Sequence, residues 1–224
     1  IHYCWFGGGP ISAESQKCME SWKKYCPDYK IIEWNDQNFD ISTNRYAQQA
    51  YEAKKYAFVS DYVRLAVLYE YGGIYLDTDV ELVRPLDELL ELPGFMGFQT
   101  NNEVATGLGF GARKGNSVVQ ALLRDYDALD FLKADGSADL TPCPERNTRV
   151  LQALGVRKDG TRQSIAEMEI FPAEYFCPMD LYSRKLRVTP KTYSIHRYAE
   201  SWKPKPSAVS RILQRLLKKH YYLS

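Results

Sequence analysis

No apolar run in these 224 residues approaches the roughly 20 that a helix needs to cross a bilayer. No signal peptide is visible, although the sequence opens at Ile1 without a methionine, which leaves room for a few preceding residues. Paired cysteines are missing too. Cys4, Cys18, Cys26, Cys143 and Cys177 are odd in number, scattered, and never in CxxC spacing. They read as reduced thiols of a cytosolic protein, which excludes a disulfide framework and argues against a zinc site. Charge of one sign is also lacking. Lys plus Arg number 29 against 28 Asp plus Glu, so nothing in the net charge of +1 would attract nucleic acid or an acidic partner. No repeat and no linker divides the chain into two domains.

What is present is an ordinary globular composition, 45% hydrophobic and 25% charged, of a length that suits one α/β domain. Aromatic residues reach 13%, with 17 tyrosines, a density that serves a core and also suits stacking on sugars or bases. Residues 1–6 read as a strand, broken by Gly7-Gly8-Gly9-Pro10, and 12–25 as a helix. Residues 29–34 form the next strand, giving the strand–helix–strand unit of a parallel sheet. The spacing predicts a weaker helix over 47–55 and the strongest helix over 59–71, with Ser60 or Asp61 in its first turn and Gly72 at its end. A short buried strand follows at 74–76, then a short helix at 85–92 opened by Pro85. Strands are expected at 95–99 and 107–112, helices at 117–132 and 146–154 around a polar loop at 133–144, and edge or loop segments at 169–178 and 192–202. The tail at 203–224 reads as a basic amphipathic helix. Val209, Ile212, Leu213, Leu216 and Leu217 share one of its faces, with Arg211, Arg215, Lys218 and Lys219 elsewhere around it. It can pack on the domain or lie as a peripheral contact on an anionic membrane surface.

The chemistry centres on "GGIYLDTDV", residues 72–80, where two carboxylates stand one residue apart after an apolar strand. Such a pair repels itself unless a cation or proton lies between its members. A calcium loop counted from Asp77 would put Glu88 at its twelfth position, but Leu82 stands where glycine is required and Pro85 intrudes. An aspartyl-phosphate nucleophile at Asp77 fits the local pattern yet lacks a second acidic pair to hold magnesium. A third reading is a divalent-metal site for a diphosphate. Alternation in an extended segment would set Asp77 and Asp79 on one side, and hard oxygens suit Mg²⁺ or Mn²⁺. Asp61 and Arg64, three apart on the preceding helix, share a face leading to the same place.

Three blocks, in order, resemble one family: "IHYCWFGG" from residue 1, "SDYVRLAVLYEYGGIYLDTDV" from residue 60 and "SIHRYAESW" from residue 194. They are similar to the DXD-containing sugar-nucleotide transferases of glycosyltransferase family 32, among them the bacterial capsular polysaccharide and lipopolysaccharide enzymes. The resemblance implies a GT-A fold, a Rossmann-like mixed sheet flanked by helices in a single domain over residues 1–202. It implies Mn²⁺ or Mg²⁺ and retention of anomeric configuration. Carried over by residue, it places Trp5 against the base, Asp61 and Arg64 on the donor sugar, Asp77 on ribose and sugar with support of the metal, and Asp79 on the metal itself. His196 supplies a further metal or diphosphate ligand, and Ser201 and Trp202 close over the phosphates. Where the family often has two histidines this chain has His196-Arg197, so Arg197 can instead neutralise diphosphate charge. The glycine-rich "TGLGFG" at 106–111 flanks the acceptor side, with Asn101 and Asn102 as sugar contacts. The expected activity is transfer of a hexose from a nucleotide-sugar donor, UDP-hexose favoured, to a glycan or lipid-linked glycan acceptor at the cytoplasmic face of a membrane. A GDP-mannose-dependent mannosyltransferase, a phosphatase-like hydrolase and a non-catalytic sugar-binding domain are the competing expectations.

Overall fold

The computed structural model describes residues 1–199; Ser201, Trp202 and the expected tail helix lie outside the described residues. In order, the chain forms β1 (His2–Cys4), α1 (Ala13–Tyr25), β2 (Ile32–Trp34), a 3-10 turn (Ile41–Thr43), α2 (Arg45–Glu52), α3 (Tyr56–Tyr71), β3 (Gly73–Tyr75) and β4 (Val80–Leu82). A second 3-10 turn (Asp87–Glu91) leads to β5 (Gly94–Phe98), β6 (Val104–Ala105), β7 (Phe110–Ala112), α4 (Ser117–Asp127) and α5 (Cys143–Ala153). Then come β8 (Gln163–Ile165), β9 (Met168–Phe171), the one-turn α6 (Ala173–Phe176) and β10 (Ser194–His196).

The main sheet runs β2-β1-β3-β7-β5-β9-β8, with β6 paired to β5. β1 is parallel to both β2 and β3, whereas β7 is antiparallel to β3 and β5, so the sheet is mixed. The expected α/β architecture, a mixed sheet with helices on its faces, is therefore the one the chain forms. A separate two-stranded ladder pairs β4 with β10.

Residue alternation explains why both faces of the sheet are covered. In β3, Tyr75 packs into one apolar cluster while its neighbours Ile74 and Leu76 enter the other. Tyr3 and Cys4 divide in the same way, as do Phe95 and Met96. α3 belongs to the first cluster with Val59, Val63, Leu65 and Leu68. α1 joins the second through Trp22, whose indole N–H donates to Val80 O at 2.7 Å. Ser12 caps α1 by accepting from Ser15 N, with Glu14 in the first turn and Lys23 and Lys24 in the last, charges that complement the helix dipole. All five cysteines are buried and unpaired with one another. Among the described residues no helix is long and apolar enough to cross a membrane.

Several elements differ from expectation. α3 begins at Tyr56 rather than 59, without a side-chain cap, so Ser60 and Asp61 lie in its second turn and cap nothing. Ser60 Oγ donates back to Tyr56 O instead. The segment opened by Pro85 makes a 3-10 turn rather than an α-helix. Residues 169–171, expected at an edge or in a loop, form β9 between β5 and β8 inside the sheet. The three-residue β4 and β8 are too short to leave a periodic signal.

Gly72 sets the passage from α3 into β3. Its φ of 69° and ψ of −171° lie in a region essentially reserved for glycine, and a Cβ there would stand 2.8 Å from the backbone nitrogen of Lys114. Gly72→Ala should lower stability by about 2–5 kcal/mol in urea unfolding. Gly115→Ala has positive φ but open space around the new Cβ, and should cost only about 1–2 kcal/mol.

Candidate active site

The site grows from the C-terminal end of β3. Alternation sends the Tyr75 side chain toward α3, and Asp77, two residues on, follows it; the Tyr75 hydroxyl donates to Asp77 Oδ1 at 2.9 Å. Asp77 N–H donates to Gly107 O, and Val80 N–H closes back on Asp77 O at 2.9 Å. Residues 77–80 are thus a tight turn rather than the extended segment expected, and the turn brings the two carboxylates together. Because β1 and β3 are parallel, the loop carrying Trp5 leaves the same edge of the sheet, where α/β folds bind ligands.

The partner of Asp77 is on α3. Arg64 is buried, and its Nη2 lies 2.9 Å from Asp61 Oδ1 and 3.3 Å from Asp77 Oδ1. Its Nε donates to Ser60 O at 3.0 Å, and the guanidinium carbon stands 5.0 Å from the centre of the Tyr75 ring. Burial pushes the Asp61 carboxyl up to about 6, against the pull of Arg64 and with a further push from Asp77. Asp77 is also raised, by burial first and by Asp79 beside it. Arg64 is held well above its usual range because the surrounding anions outweigh its burial.

The β4–β10 ladder delivers the third group. His196 sits opposite Val80, and Arg197 N–H donates to Asp79 O at 2.9 Å. His196 Nε2 is 3.2 Å from Asp79 Oδ1, while Asp79 Oδ2 accepts from Ala199 N at 2.8 Å. Burial opposes ionisation of Asp79, but the His196 charge and these hydrogen bonds hold the carboxyl down at about 2. His196 is raised in turn, Asp79 outweighing its burial. Ligand atoms of Asp77, Asp79 and His196 lie within 4.8 Å of one another, and all three residues are half-buried. His196 Nδ1 is buried without a hydrogen-bond partner. Two carboxylates and an imidazole converging in this way suit Mn²⁺ or Mg²⁺, ions that take remaining ligands from water or substrate oxygens.

Other expected residues stand apart. The Arg197 guanidinium turns away to Glu81, with Nε 2.7 Å from Oε2. Asn101 Nδ2 donates to Glu103 within its own loop, and Asn102 has a φ of 61°. Trp5 is half-buried with its indole N–H on Gly9 O, in the loop after β1. The residues that sequence reasoning missed lie behind Arg64. Thr106 Oγ1 is 3.5 Å from Arg64 Nη1 and accepts from Asn147 Nδ2 at 3.1 Å, and Cys143 Sγ is 3.3 Å from the same hydroxyl. The glycine-rich stretch containing Thr106 was the one signal that could have found them. Its role is steric, because a Cβ on Gly107 would fall 2.0 Å from Asp77 Oδ2. Gly107→Ala should therefore displace the Asp77 carboxylate. Manganese affinity, read by electron paramagnetic resonance, should drop about tenfold or more, the loss expected when a ligand is moved from its place.

Residues 12–95 match the model of a glycosyltransferase sugar-binding region containing a DXD motif. Inositol phosphoceramide mannosyltransferase 3 of Schizosaccharomyces pombe is 28% identical over 146 residues, 58% of this chain and 37% of its own length. Human alpha-1,4-N-acetylglucosaminyltransferase is 28% identical over 148 residues, 66% of this chain and 38% of its own. The chain thus spans less than half the length of either relative. A solved glycosyltransferase involved in glycosylation of the PBCV-1 major capsid overlaps at a TM-score of 0.49 and 11% identity, over 90% of this chain and 94% of its own. The acidic pair, the strand before it and the helix bearing Asp61 and Arg64 all fall inside the matched stretch, so it is residues 12–95 of the chain that are similar to the DXD-containing glycosyltransferases.

Proposed function

We propose that this protein transfers a hexose from a nucleoside-diphosphate sugar to an acceptor hydroxyl with retention of configuration, the transferase domain occupying residues 1–202. The observation that carries the reading is the convergence of Asp77, Asp79 and His196 beside the buried Asp61–Arg64 pair. Those three side chains would hold a divalent ion, which would supply positive charge against a leaving diphosphate. Arg64 and Asp61, locked in the helix, orient the sugar hydroxyls, and Trp5 at the sheet edge offers its ring to the base. Ser201 and Trp202 are assigned to the phosphates from their sequence alone. The anomeric C–O bond to the diphosphate breaks as the acceptor oxygen bonds to that carbon from the same face, and the acceptor's proton passes to the departing phosphate oxygen. No protein nucleophile is required, and positioning with charge stabilisation supplies the rate.

A UDP-hexose is the favoured donor, on the resemblance of the first strand to UDP-using enzymes. GDP-mannose is the second reading, supported by the named mannosyltransferase among the relatives. A lipid-linked or free glycan is the acceptor class. A screen of sugar nucleotides with manganese, reading release of nucleoside diphosphate, should give turnover with one donor and a loss of about a hundredfold or more in Asp79→Ala. A phosphoaspartate trapped at Asp77 would replace this reading with hydrolysis, and unchanged metal and nucleotide affinity in Asp79→Ala would reduce the protein to a binding domain.

The two environments also set a pH dependence. Asp79, held at about 2, stays ionised throughout the working range, whereas Asp61, raised to about 6, takes up its proton near neutrality. Protonation removes the acceptor that faces the sugar and weakens the hold on Arg64. At saturating manganese, kcat/KM for the donor should therefore fall on the acid side with a limb near pH 6, and Asp61→Asn should be slow with that limb gone.

A further inference from the structure

Between α6 and β10 the chain makes a hairpin loop that the donor site does not use. Arg187 N–H donates to Pro178 O and Asp180 N–H to Lys185 O, both at 3.0 Å, closing the loop. Asp180 Oδ1 braces its tip by accepting from Ser183 N at 2.7 Å and Ser183 Oγ at 2.8 Å. Met179 and Leu181 root the base against the second apolar cluster. Beyond that root every residue from 182 to 188 is exposed.

The composition of that tip is unusual for a solvated loop. Tyr182 is 77% exposed, the most of any large apolar side chain among the described residues, and Leu186 and Val188 are exposed beside it. The other exposed large apolar groups, such as Tyr71, Leu90 and Leu154, occur singly along the chain. Between the three stand Arg184, Lys185 and Arg187, and no carboxylate occurs from 181 to 191. Lys185 and Arg187 make no ion pair with any described residue. The protein as a whole carries a net charge of only +1, so the concentration here is local.

We propose that this hairpin docks the protein on an anionic lipid bilayer. An aromatic ring and two aliphatic chains can enter the headgroup region, while Lys185 and Arg187 meet lipid phosphates at the same depth, which is how interfacial segments divide their apolar and basic groups. An acidic protein would answer the cations but leave the exposed Tyr182, Leu186 and Val188 unanswered. Position strengthens the assignment. The Arg184 guanidinium carbon lies 4.8 Å over the Tyr198 ring, whose centre is 4.3 Å from that of His196. A docked hairpin holds the Asp77–Asp79–His196 triad near the lipid surface, where the hydroxyls of a lipid-borne acceptor lie. This last consequence rests on the proposed transfer reaction; the docking itself does not.

The test is flotation of the full chain, without substrate, on phosphatidylcholine vesicles and on vesicles also containing phosphatidylserine. Wild type should float with the anionic vesicles alone and come off in high salt. Replacing Lys185 and Arg187 together with serine should lower partitioning about tenfold or more, and Tyr182→Ser should lower it several-fold. Melting temperature and donor hydrolysis in solution should be unchanged in both variants. Three results would overturn the inference: equal binding to neutral vesicles, hairpin variants that float like wild type (which would move any attachment to residues 203–224), or binding to polyglutamate in place of vesicles. Because no sugar nucleotide is present, failure of the transfer reaction would leave the flotation result standing.

Discussion

The site depends on one buried cation. Arg64 lies inside the body of α3 with its guanidinium between Asp61 and Asp77, and neither carboxylate would stay ionised at that depth without it. Taking away one partner of such a buried group costs about 3–5 kcal/mol, because the remaining charge is stranded. The helix, the strand end and the glycine-rich return are therefore coupled. α3 must run through Arg64 at full helical geometry, Asp77 must leave β3 on the α3 face, and Gly107 must leave room for the carboxylate between them.

That coupling also explains why two carboxylates so close in sequence behave differently. Asp77 faces inward to Arg64 and Tyr75, and burial raises its pKa. Asp79, beyond the turn, is answered by His196 and the Ala199 N–H and is held at about 2. A turn separates their environments while keeping their oxygens within reach of one ion. A straight strand end would have given both the same surroundings. A turn and a metal site, posed by the sequence as alternatives, are compatible here, since the turn is what brings the two carboxylates together.

Local signals carried much of the frame. The unit β1–α1–β2 follows from a strand pattern, a glycine break and the Ser12 cap, and α3 with Gly72 follows from periodicity and a terminator. Asp61, Arg64, Asp77 and Asp79 were legible because they share one continuous helix–strand stretch. What escaped was brought in from far along the chain. Thr106 arrives on the strand return that pairs β7 with β3, and Cys143 and Asn147 arrive with α5, whose polar buried side chains look like surface residues in sequence. His196 was placed by resemblance alone, because the three-residue strands that seat it are too short to be seen by pattern.

The β4–β10 ladder joins chemistry to surface. Its register fixes His196 opposite Val80, one residue past Asp79, so a slip of one position would turn the imidazole to the other face and leave the two aspartates without their third partner. The same short strand continues into Tyr198, which packs on His196 and receives the Arg184 side chain from the exposed hairpin. His196, Tyr198 and Arg184 thus follow one another through direct contact. Under the docking proposed above, that chain of contacts places the separate β4–β10 ladder, rather than the main sheet, closest to the bilayer.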